Sequence, residues 1–347
     1  MKKLSLALAL LLALLTLLTG CSSDNSNTIT VYNWEDYIDP AALEMFTEET
    51  GIEVKYVRFT TNEEMFIKLA RGGGSYDVAF PSDYMIERMI KRNLLMELDF
   101  SKLDNFSNTE QWLQNPAYDP DQKYSVPYMW GTVGILYNTA MTGGEIDSWG
   151  AMWDTKYERN VLMMDSVRDS LGVTLCYLGY SLNTRDQAEL EAARDKLIEQ
   201  RESGVLLAYG VDEIKDKMAN GEAALGLVWS GDAITSMAIN DDLAYCVPKE
   251  GSNVWVDGMV IPKTSKNYEG ALQFINFMMR PDIAAMNSEY IGYSTPNAAA
   301  LELLPEDLLN DPTFNPPQDV IDRCTFFNDT SDAADLYDRI WIEITAN

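Results

Sequence analysis

Apolar positions along the chain alternate between two spacings, and this alternation predicts a regular order of strands and helices. Short runs rich in β-branched and aromatic residues indicate strands, and apolar residues at helical spacing indicate the helices between them. In the first third of the chain, strands are predicted over 28–34, 52–59 and 76–80, and helices near 40–50, 62–71 and 83–92. This β-α-β-α-β order predicts an open, mostly parallel sheet with helices on its faces.

The same alternation continues through the rest of the chain. Strands are predicted near 133–138, 160–165, 223–229, 243–247 and 254–261, and helices near 168–180, 186–201, 211–219, 231–239, 269–279 and 282–290. We interpret this α/β pattern as two lobes with a cleft between them, the chain crossing near 130, 255 and 300. The first lobe would comprise residues 28–130 plus 256–300, and the second 131–255 plus 301–347.

The N-terminal segment has the pattern of an export signal. Lys2 and Lys3 precede an apolar run over 4–18, which is shorter than the roughly 20 residues that a membrane-spanning helix needs. Residues 1–20 are therefore predicted to be a signal peptide. The following L-T-G-C resembles the bacterial lipobox, so Cys21 is the expected lipidation site; an ordinary secretory signal with a chance cysteine is the alternative.

These features predict an extracytoplasmic protein, in a periplasmic space or on the outer face of the cytoplasmic membrane. Lipid-linked Cys21 and the polar tether over 21–27 would be its only attachment to the membrane, and we expect a monomer. The charge supports a cationic partner: the net charge is −28 and becomes −30 without Lys2 and Lys3. Such a surface repels nucleic acid and attracts cations.

Residue types that are absent or scarce exclude several chemistries. The chain contains no histidine, which excludes Ser-His-Asp and Cys-His nucleophile systems and histidine-ligated zinc. Cys176, Cys246 and Cys324 are far apart and odd in number, so they predict core thiols with at most one bridge. No metal and no cofactor is predicted.

Aromatic residues accompanied by a carboxylate recur where predicted strands end. The pairs are Trp34 with Asp36, Tyr84 with Asp83, Trp229 with Asp232, and Trp255 with Asp257. One aromatic residue near a strand end usually belongs to the core, but repetition at the carboxyl ends of strands favours a ligand site. Aromatic faces attract ammonium groups by roughly 0.5–2 kcal/mol each, and carboxylates form strong charge-assisted hydrogen bonds with them. With no Lys or Arg expected near these carboxylates, the pattern favours an organic polycation over an anion.

Longer motifs resemble one known family. They are Y-N-W-E-D-Y-I at 32–38, F-P-S-D-Y at 80–84, Y-S-V-P-Y-M-W-G-T at 124–132, V-W-S-G-D at 228–232, P-K-E-G at 248–251, W-V-D-G at 255–258, and E-G-A-L-Q-F-I-N-F-M-M-R-P-D through I-G-Y-S-T-P-N within 269–297. The chain resembles the spermidine/putrescine-binding proteins of ABC importers from about residue 28 to 340. The resemblance implies the two-lobed periplasmic-binding-protein fold, a polyamine ligand and delivery to a membrane permease.

The family's ligand contacts can be placed on matching positions of this sequence. The aromatic residues that would surround the polyamine are Trp34, Tyr37, Tyr84, Trp229, Trp255 and Tyr293. The resemblance implies that Asp36 holds one terminal amine, with Ser82 nearby, and that Asp257 and Asp169 form the acidic pair at the other end.

Three positions depart from the spermidine-preferring pattern. Ser166 replaces an acidic residue, and Phe327 replaces a glutamine. Asp232 resembles an aspartate of putrescine-preferring relatives, although a helix N-cap is an equally good interpretation of it. The preference between putrescine and spermidine therefore stays open.

Two alternatives remain at this stage. The first is a binding protein for another cationic solute or for a sugar. A sugar would need hydrogen bonds from amide and Arg side chains more than clustered carboxylates. The second is an acidic glycosidase that uses two carboxylates such as Asp169 and Asp257.

Overall fold

A computed structural model describes residues 27–35 and 37–346 of the chain. The predicted signal peptide, Cys21, most of the tether and the site candidate Asp36 lie outside the described residues. Within the described part, every helix is too short or too polar to cross a membrane.

The described chain is a mixed α/β protein, as its pattern predicts. Its strands are β1 (Thr28–Asn33), β2 (Glu53–Arg58), β3 (Val78–Ala79), β4 (Ser125–Asn138), β5 (Val161–Met164), β6 (Leu206–Gly210), β7 (Leu225–Trp229), β8 (Leu243–Cys246), β9 (Ser252–Val260) and β10 (Cys324–Thr325). Its α-helices are α1 (Pro40–Thr50), α2 (Asn62–Ala70), α3 (Asp83–Lys91), α4 (Thr139–Thr142), α5 (Val167–Tyr177), α6 (Gln187–Glu202), α7 (Glu213–Ala219), α8 (Ser230–Met237), α9 (Tyr268–Met278), α10 (Pro281–Ile291), α11 (Ala298–Leu301), α12 (Glu306–Leu309), α13 (Gln318–Ile321) and α14 (Ala334–Thr345). Short 3₁₀ helices cover Phe100–Lys102, Asp104–Asn108, Gln111–Leu113, Trp149–Trp153, Thr155–Tyr157 and Ser331–Ala333.

Two long strands at the centre of the sheet connect its two ends. The strand order is β2-β1-β3-β9-β4-β7-β5-β6, with β10 beside β9 and β8 beside β4. β4 and β9 run antiparallel, and β4 continues beyond β9 to pair with β7 and β8. The β4–β9 pair therefore carries β1–β3 at one end and β5–β7 at the other.

The two ends of the sheet are parallel, whereas β4 pairs antiparallel with β7, β8 and β9, and β3 pairs antiparallel with β9. β1 pairs in parallel with β2 and β3, and β5 pairs in parallel with β6 and β7. The predicted β-α-β order accounts for these parallel pairs. It does not describe β4 and β9, whose pairing partners are distant in sequence.

Local capping rules account for the first helix. The Asp39 carboxylate accepts a hydrogen bond from the Ala41 backbone N–H at 2.9 Å, and Pro40 occupies the first turn. Gly51 ends the helix with a φ of 72°, a left-handed conformation that costs glycine little. The next segment can therefore turn directly into β2.

The three cysteines of the described chain are free thiols, so the one bridge that the sequence allows does not form. Burial raises the pKa of the Cys176 and Cys246 thiols to about 12 and that of Cys324 to about 11. They are half-buried structural side chains with little thiolate character at neutral pH.

Candidate functional site

The Asp257 carboxylate is the centre of the site. It projects from the middle of β9 opposite Met129 of β4, and the backbone of Ser82 bridges to it from the start of α3. The Tyr37 hydroxyl donates to Oδ2 of Asp257 at 2.8 Å, whereas Oδ1 has no hydrogen-bond partner among the described residues. The side chain is almost fully enclosed, with 6% of the residue exposed. A buried carboxylate oxygen without a partner is costly, and this cost is removed when a cationic donor reaches it.

Burial also changes the protonation of Asp257. It raises the pKa of this carboxyl to about 6, and the Ser82 and Tyr37 hydroxyls oppose the shift. Burial and the neighbouring Asp257 charge hold the pKa of the Tyr37 phenol well above its ordinary value, so Tyr37 remains a hydrogen-bond donor. At neutral pH the site therefore presents a buried negative charge with two hydroxyls beside it.

Aromatic rings form a wall next to this carboxylate. The ring centroids of Tyr37 and Tyr293 are 6.2 Å apart, and those of Trp255 and Tyr293 are 4.8 Å apart with the planes at 89°. Trp255 is 9% exposed, and its indole N–H has no partner within the described part of the chain. The wall offers apolar ring faces to an alkyl chain and keeps one donor available.

Two glycines allow this wall to pack closely against the backbone. A Cβ on Gly131 would lie 2.7 Å from the Trp255 ring, and a Cβ on Gly231 would lie 2.3 Å from the Tyr293 ring. Real Cβ atoms do not approach other atoms so closely, so both rings depend on glycine. The glycines of W-G-T and W-S-G-D thus have a packing role at the site.

The carboxyl ends of β1 and β3 also meet at the site. The Trp34 indole N–H donates to the Phe80 carbonyl at 2.9 Å, which joins these two strand ends. Ser82 Oγ accepts from the Asn62 side-chain amide at 3.0 Å. Tyr84 follows in α3, where its hydroxyl donates to Glu63 at 3.2 Å.

Asp232 lies in the first turn of α8, after Trp229 at the end of β7. The N-cap interpretation of Asp232 is wrong, because Trp229 occupies the cap position and no side-chain cap is formed. Lys215 lies 3.9 Å from the Asp232 carboxylate, whose side chain is 19% exposed. Burial raises the pKa of Asp232 to about 6, against the opposing effect of Lys215.

Asp169 is held by its own helix. The Ser166 hydroxyl caps α5 and donates to the Asp169 carboxylate at 2.5 Å. Burial raises the pKa of Asp169, while this hydrogen bond and Arg168 oppose the rise. Asp169 and Asp257 share no hydrogen-bond partner among the described residues, and Ser82 lies beside Asp257. The grouping of Asp169 with Asp257 around one amine, and of Ser82 with Asp36 around the other, stays a prediction.

Cations lie closer to the site than the sequence predicts. The Arg168 guanidinium stacks on Phe327 at 4.3 Å and lies 5.7 Å from the ring of Tyr84. Hydrogen bonds to the Thr330 hydroxyl at 2.6 Å and the Asn183 side chain at 2.9 Å hold it in place. The expectation of carboxylates without nearby Lys or Arg is therefore wrong for Asp169 and Asp232, which have Arg168 and Lys215 as neighbours.

The sequence pairs Asp83 with Tyr84, but it does not predict that this acid is buried and close to Asp257. Asp83, at the start of α3, is fully enclosed, and its Oδ2 has no hydrogen-bond partner in the described chain. Burial raises the pKa of Asp83 well above its ordinary value, and the charge of Asp257 raises it further. The sequence contains the aspartate in F-P-S-D-Y, but an aspartate in a first helical turn is common and gives no sign of burial.

The fold, with two parallel sheet ends joined through β4 and β9, is that of a binding protein. The chain belongs to the family of bacterial extracellular solute-binding proteins, whose pattern matches residues 41–316. This family assignment excludes the glycosidase alternative.

Named relatives extend the similarity over the full length. The chain is 37% identical to the spermidine/putrescine-binding periplasmic protein of Escherichia coli, over 100% of this chain and 99% of the relative. It is 41% identical to the solved spermidine/putrescine substrate-binding protein PotD of Streptococcus pneumoniae, with a TM-score of 0.82 over 92% of this chain and 100% of that one. The TpPotD lipoprotein of Treponema pallidum matches at 26% identity and a TM-score of 0.83, over 91% of this chain and 99% of that one. The solved relatives are periplasmic binding proteins of the two-lobed type, which confirms the predicted fold class.

Proposed function

We propose that this chain captures a small polyamine, putrescine or spermidine, and delivers it to an ABC importer permease. The observation that carries the proposal is Asp257, a buried carboxylate with one oxygen bound by the Tyr37 hydroxyl and the other without a hydrogen-bond partner in the described part of the chain. An ammonium group supplies both the charge and the hydrogen bond that Oδ1 lacks. The names of the full-length relatives support the same ligand class.

The aromatic wall suits the rest of such a ligand. Methylene groups of a polyamine pack on the faces of Tyr37, Trp255 and Tyr293, and Asp232 offers a further carboxylate next to Gly231, which packs against Tyr293. Micromolar binding requires about −8 kcal/mol, which a few ring contacts and well-formed ion pairs supply after ordering costs. Asp36 and Trp34 complete the proposed contacts at the end of β1.

Ligand capture is proposed to proceed by closure of two lobes about β4 and β9, with lobe 1 at 28–130 plus 256–300. Contacts between the proposed lobes support this motion. Lys91 of α3 reaches the Asp329 carboxylate at 3.1 Å, and the Asp329 backbone N–H donates to Glu87 at 2.7 Å. Because Ser82 and Tyr84 begin the same helix, closure of these contacts and enclosure of the site would occur together.

The proposed location is outside the cytoplasmic membrane, with lipid attachment through Cys21 as the only membrane contact. The lipobox-like L-T-G-C supports this attachment, and the Treponema pallidum relative is itself named a lipoprotein. Attachment would keep a monomeric binding protein close to its permease.

Titration calorimetry with putrescine, cadaverine, spermidine, spermine and a set of sugars tests the proposed function. We expect one-to-one binding of putrescine or spermidine and a higher melting temperature in its presence, because a ligand that binds only the native state stabilises it. Neither heat nor stabilisation with any polyamine would contradict the proposal. Binding of a sugar alone would favour the other solute class.

A further inference from the structure

Lys215 is positioned by the packing of α7 against α8, the helix that carries Asp232. The Ser236 hydroxyl of α8 donates to the Lys215 backbone carbonyl at 3.1 Å. At the other end of α7, the Asn240 side-chain amide donates to the Ala219 carbonyl at 3.1 Å. These contacts fix α7 beside α8 and the segment that follows it, and the Lys215 side chain extends toward Asp232.

The distance between Lys215 and Asp232, and the exposure of Lys215, suit an ion pair that a ligand amine can replace. Lys215 Nζ lies 3.9 Å from Asp232 Oδ1, which is a charge contact longer than a hydrogen bond. The Lys215 side chain is 36% exposed, so it can move into solvent at small cost. Asp232 is the less exposed partner, at 19%.

Asp232 directly follows Gly231, which packs against the Tyr293 ring: a Cβ on Gly231 would lie 2.3 Å from that ring. Burial raises the pKa of the Tyr293 phenol well above its ordinary value, and the charges of Asp232 and Asp257 raise it further. An ammonium group that packs on the Tyr293 ring would therefore be near the carboxylate that Lys215 contacts.

We propose that Lys215 is a specificity-determining residue whose ammonium group competes with the ligand for Asp232. This inference rests on the proposed polyamine function. Because Asp232 is already partly neutralised, the site gains little from an amine placed there. Lys215 therefore lowers affinity for polyamines, and lowers it most for a ligand whose amines reach both Asp257 and Asp232.

Lys217 offers a matched control on the same helix. It pairs with Glu222 at 3.1 Å, and its side chain is 41% exposed. Lys217→Gln therefore removes the same charge from α7 without changing the contact with Asp232. Any difference between Lys215→Gln and Lys217→Gln reports the local contact rather than the net charge.

The test is calorimetric titration of putrescine and spermidine into the wild type, Lys215→Gln, Lys217→Gln, Asp232→Asn and the Lys215→Gln/Asp232→Asn double variant. We expect Lys215→Gln to raise affinity for at least one polyamine about fivefold, the effect of one ion pair near 4 Å in water-like surroundings. We expect Lys217→Gln to stay within about twofold of the wild type, as for an exposed pair. In the Asp232→Asn background, Lys215→Gln should give no further gain.

The outcomes separate the two proposals. Equal affinities of Lys215→Gln and Lys217→Gln, with polyamine binding intact, would overturn the role of Lys215 alone. A gain that persists in the Asp232→Asn background would overturn it as well, because the effect would not pass through Asp232. Absence of polyamine binding by the wild type would contradict the proposed function and this inference with it.

Discussion

Asp257 and Asp232 have carboxyls with the same pKa, raised to about 6 by burial, yet their surroundings differ. Asp257 has the Ser82 and Tyr37 hydroxyls beside it, and its Oδ1 has no hydrogen-bond partner among the described residues. Asp232 has Lys215 at 3.9 Å. The charges of both acids act on the Tyr293 phenol, but only Asp232 has an ion-pair partner among the described residues.

This difference shows which carboxylate depends more on a ligand. A buried charge without a counter-ion is costly in the unliganded protein, and the cost is recovered when a cation binds. Asp257 therefore contributes most to affinity, and Asp232 modulates it. The following predictions test this ranking.

The largest expected effect is that of Asp257→Asn. Loss of one partner of a buried charge pair costs about 2 kcal/mol or more, so polyamine affinity should fall about 30-fold or more. The same substitution removes an unpaired buried charge and should raise the melting temperature of the unliganded protein at pH 7.5. Calorimetric titration and thermal unfolding measure both effects.

Asp241→Asn provides the control for Asp257→Asn, because it removes one exposed carboxylate outside the site. It should leave affinity and melting temperature close to those of the wild type. Unchanged affinity in Asp257→Asn would show that this carboxylate does not contact the ligand.

The next effect is a dependence on pH. A carboxyl with a pKa of about 6 is mostly ionised at pH 7 and mostly protonated at pH 5, so affinity should fall about tenfold over this range through Asp257 alone. Tyr37 and Tyr293 stay protonated because their pKa values lie well above the ordinary value. Titrations at half-unit steps measure the slope, and Asp257→Asn should flatten it. A slope that Asp257→Asn leaves unchanged would assign the titration to another acid, such as Asp232.

The pH dependence of unliganded stability should have the opposite sign. Folding raises the pKa of both carboxyls from 3.8 to about 6, so the native state binds more protons than the unfolded chain between these values. Their contribution to the free energy of unfolding therefore increases as the pH falls through this window. Asp257→Asn should remove the part of this pH dependence of the free energy of unfolding that Asp257 causes.

A smaller effect is expected for Gly231→Ala, which displaces the Tyr293 ring. The new Cβ would lie 2.3 Å from the Tyr293 ring, so the ring has to shift. Loss of a well-packed aromatic contact costs about 1 kcal/mol, so polyamine affinity should fall about fivefold. Gly144→Ala is the matched control, because a Cβ there meets nothing within 4 Å. Equal affinities of the two variants would show that the position of Tyr293 does not matter for binding.

Local sequence rules predicted most of the elements but not all of them. Asp39, Pro40 and Gly51 define α1 through their own backbone chemistry, so no distant contact is needed. Strand β6 was missed because it is half-buried along its whole length and lies at the edge of the sheet, which removes the alternating pattern. The first half of β4 was missed because Pro127 interrupts its pattern and its partner β9 is distant in sequence.

Some residues of the site can be recognised from a local sequence motif, whereas others depend on contacts between distant parts of the chain. Asp257 and Trp255 stand in a strand with a recognisable W-V-D-G motif, so the sequence identifies them as candidates. Lys215 was missed because α7 resembles an ordinary charged helix, and only its packing on α8 brings Lys215 near Asp232. The F-P-S-D-Y motif draws attention to Asp83 beside Tyr84, but the burial of Asp83 against β9 is a property of the folded chain and not of the motif.

A crystal structure of the chain with putrescine or spermidine would test the central claim most directly. The account predicts a ligand nitrogen about 2.8 Å from Oδ1 of Asp257, the usual length of a charge-assisted hydrogen bond, with the Tyr37 hydroxyl still on Oδ2. A ligand bound elsewhere, with Oδ1 of Asp257 in contact with water alone, would contradict it.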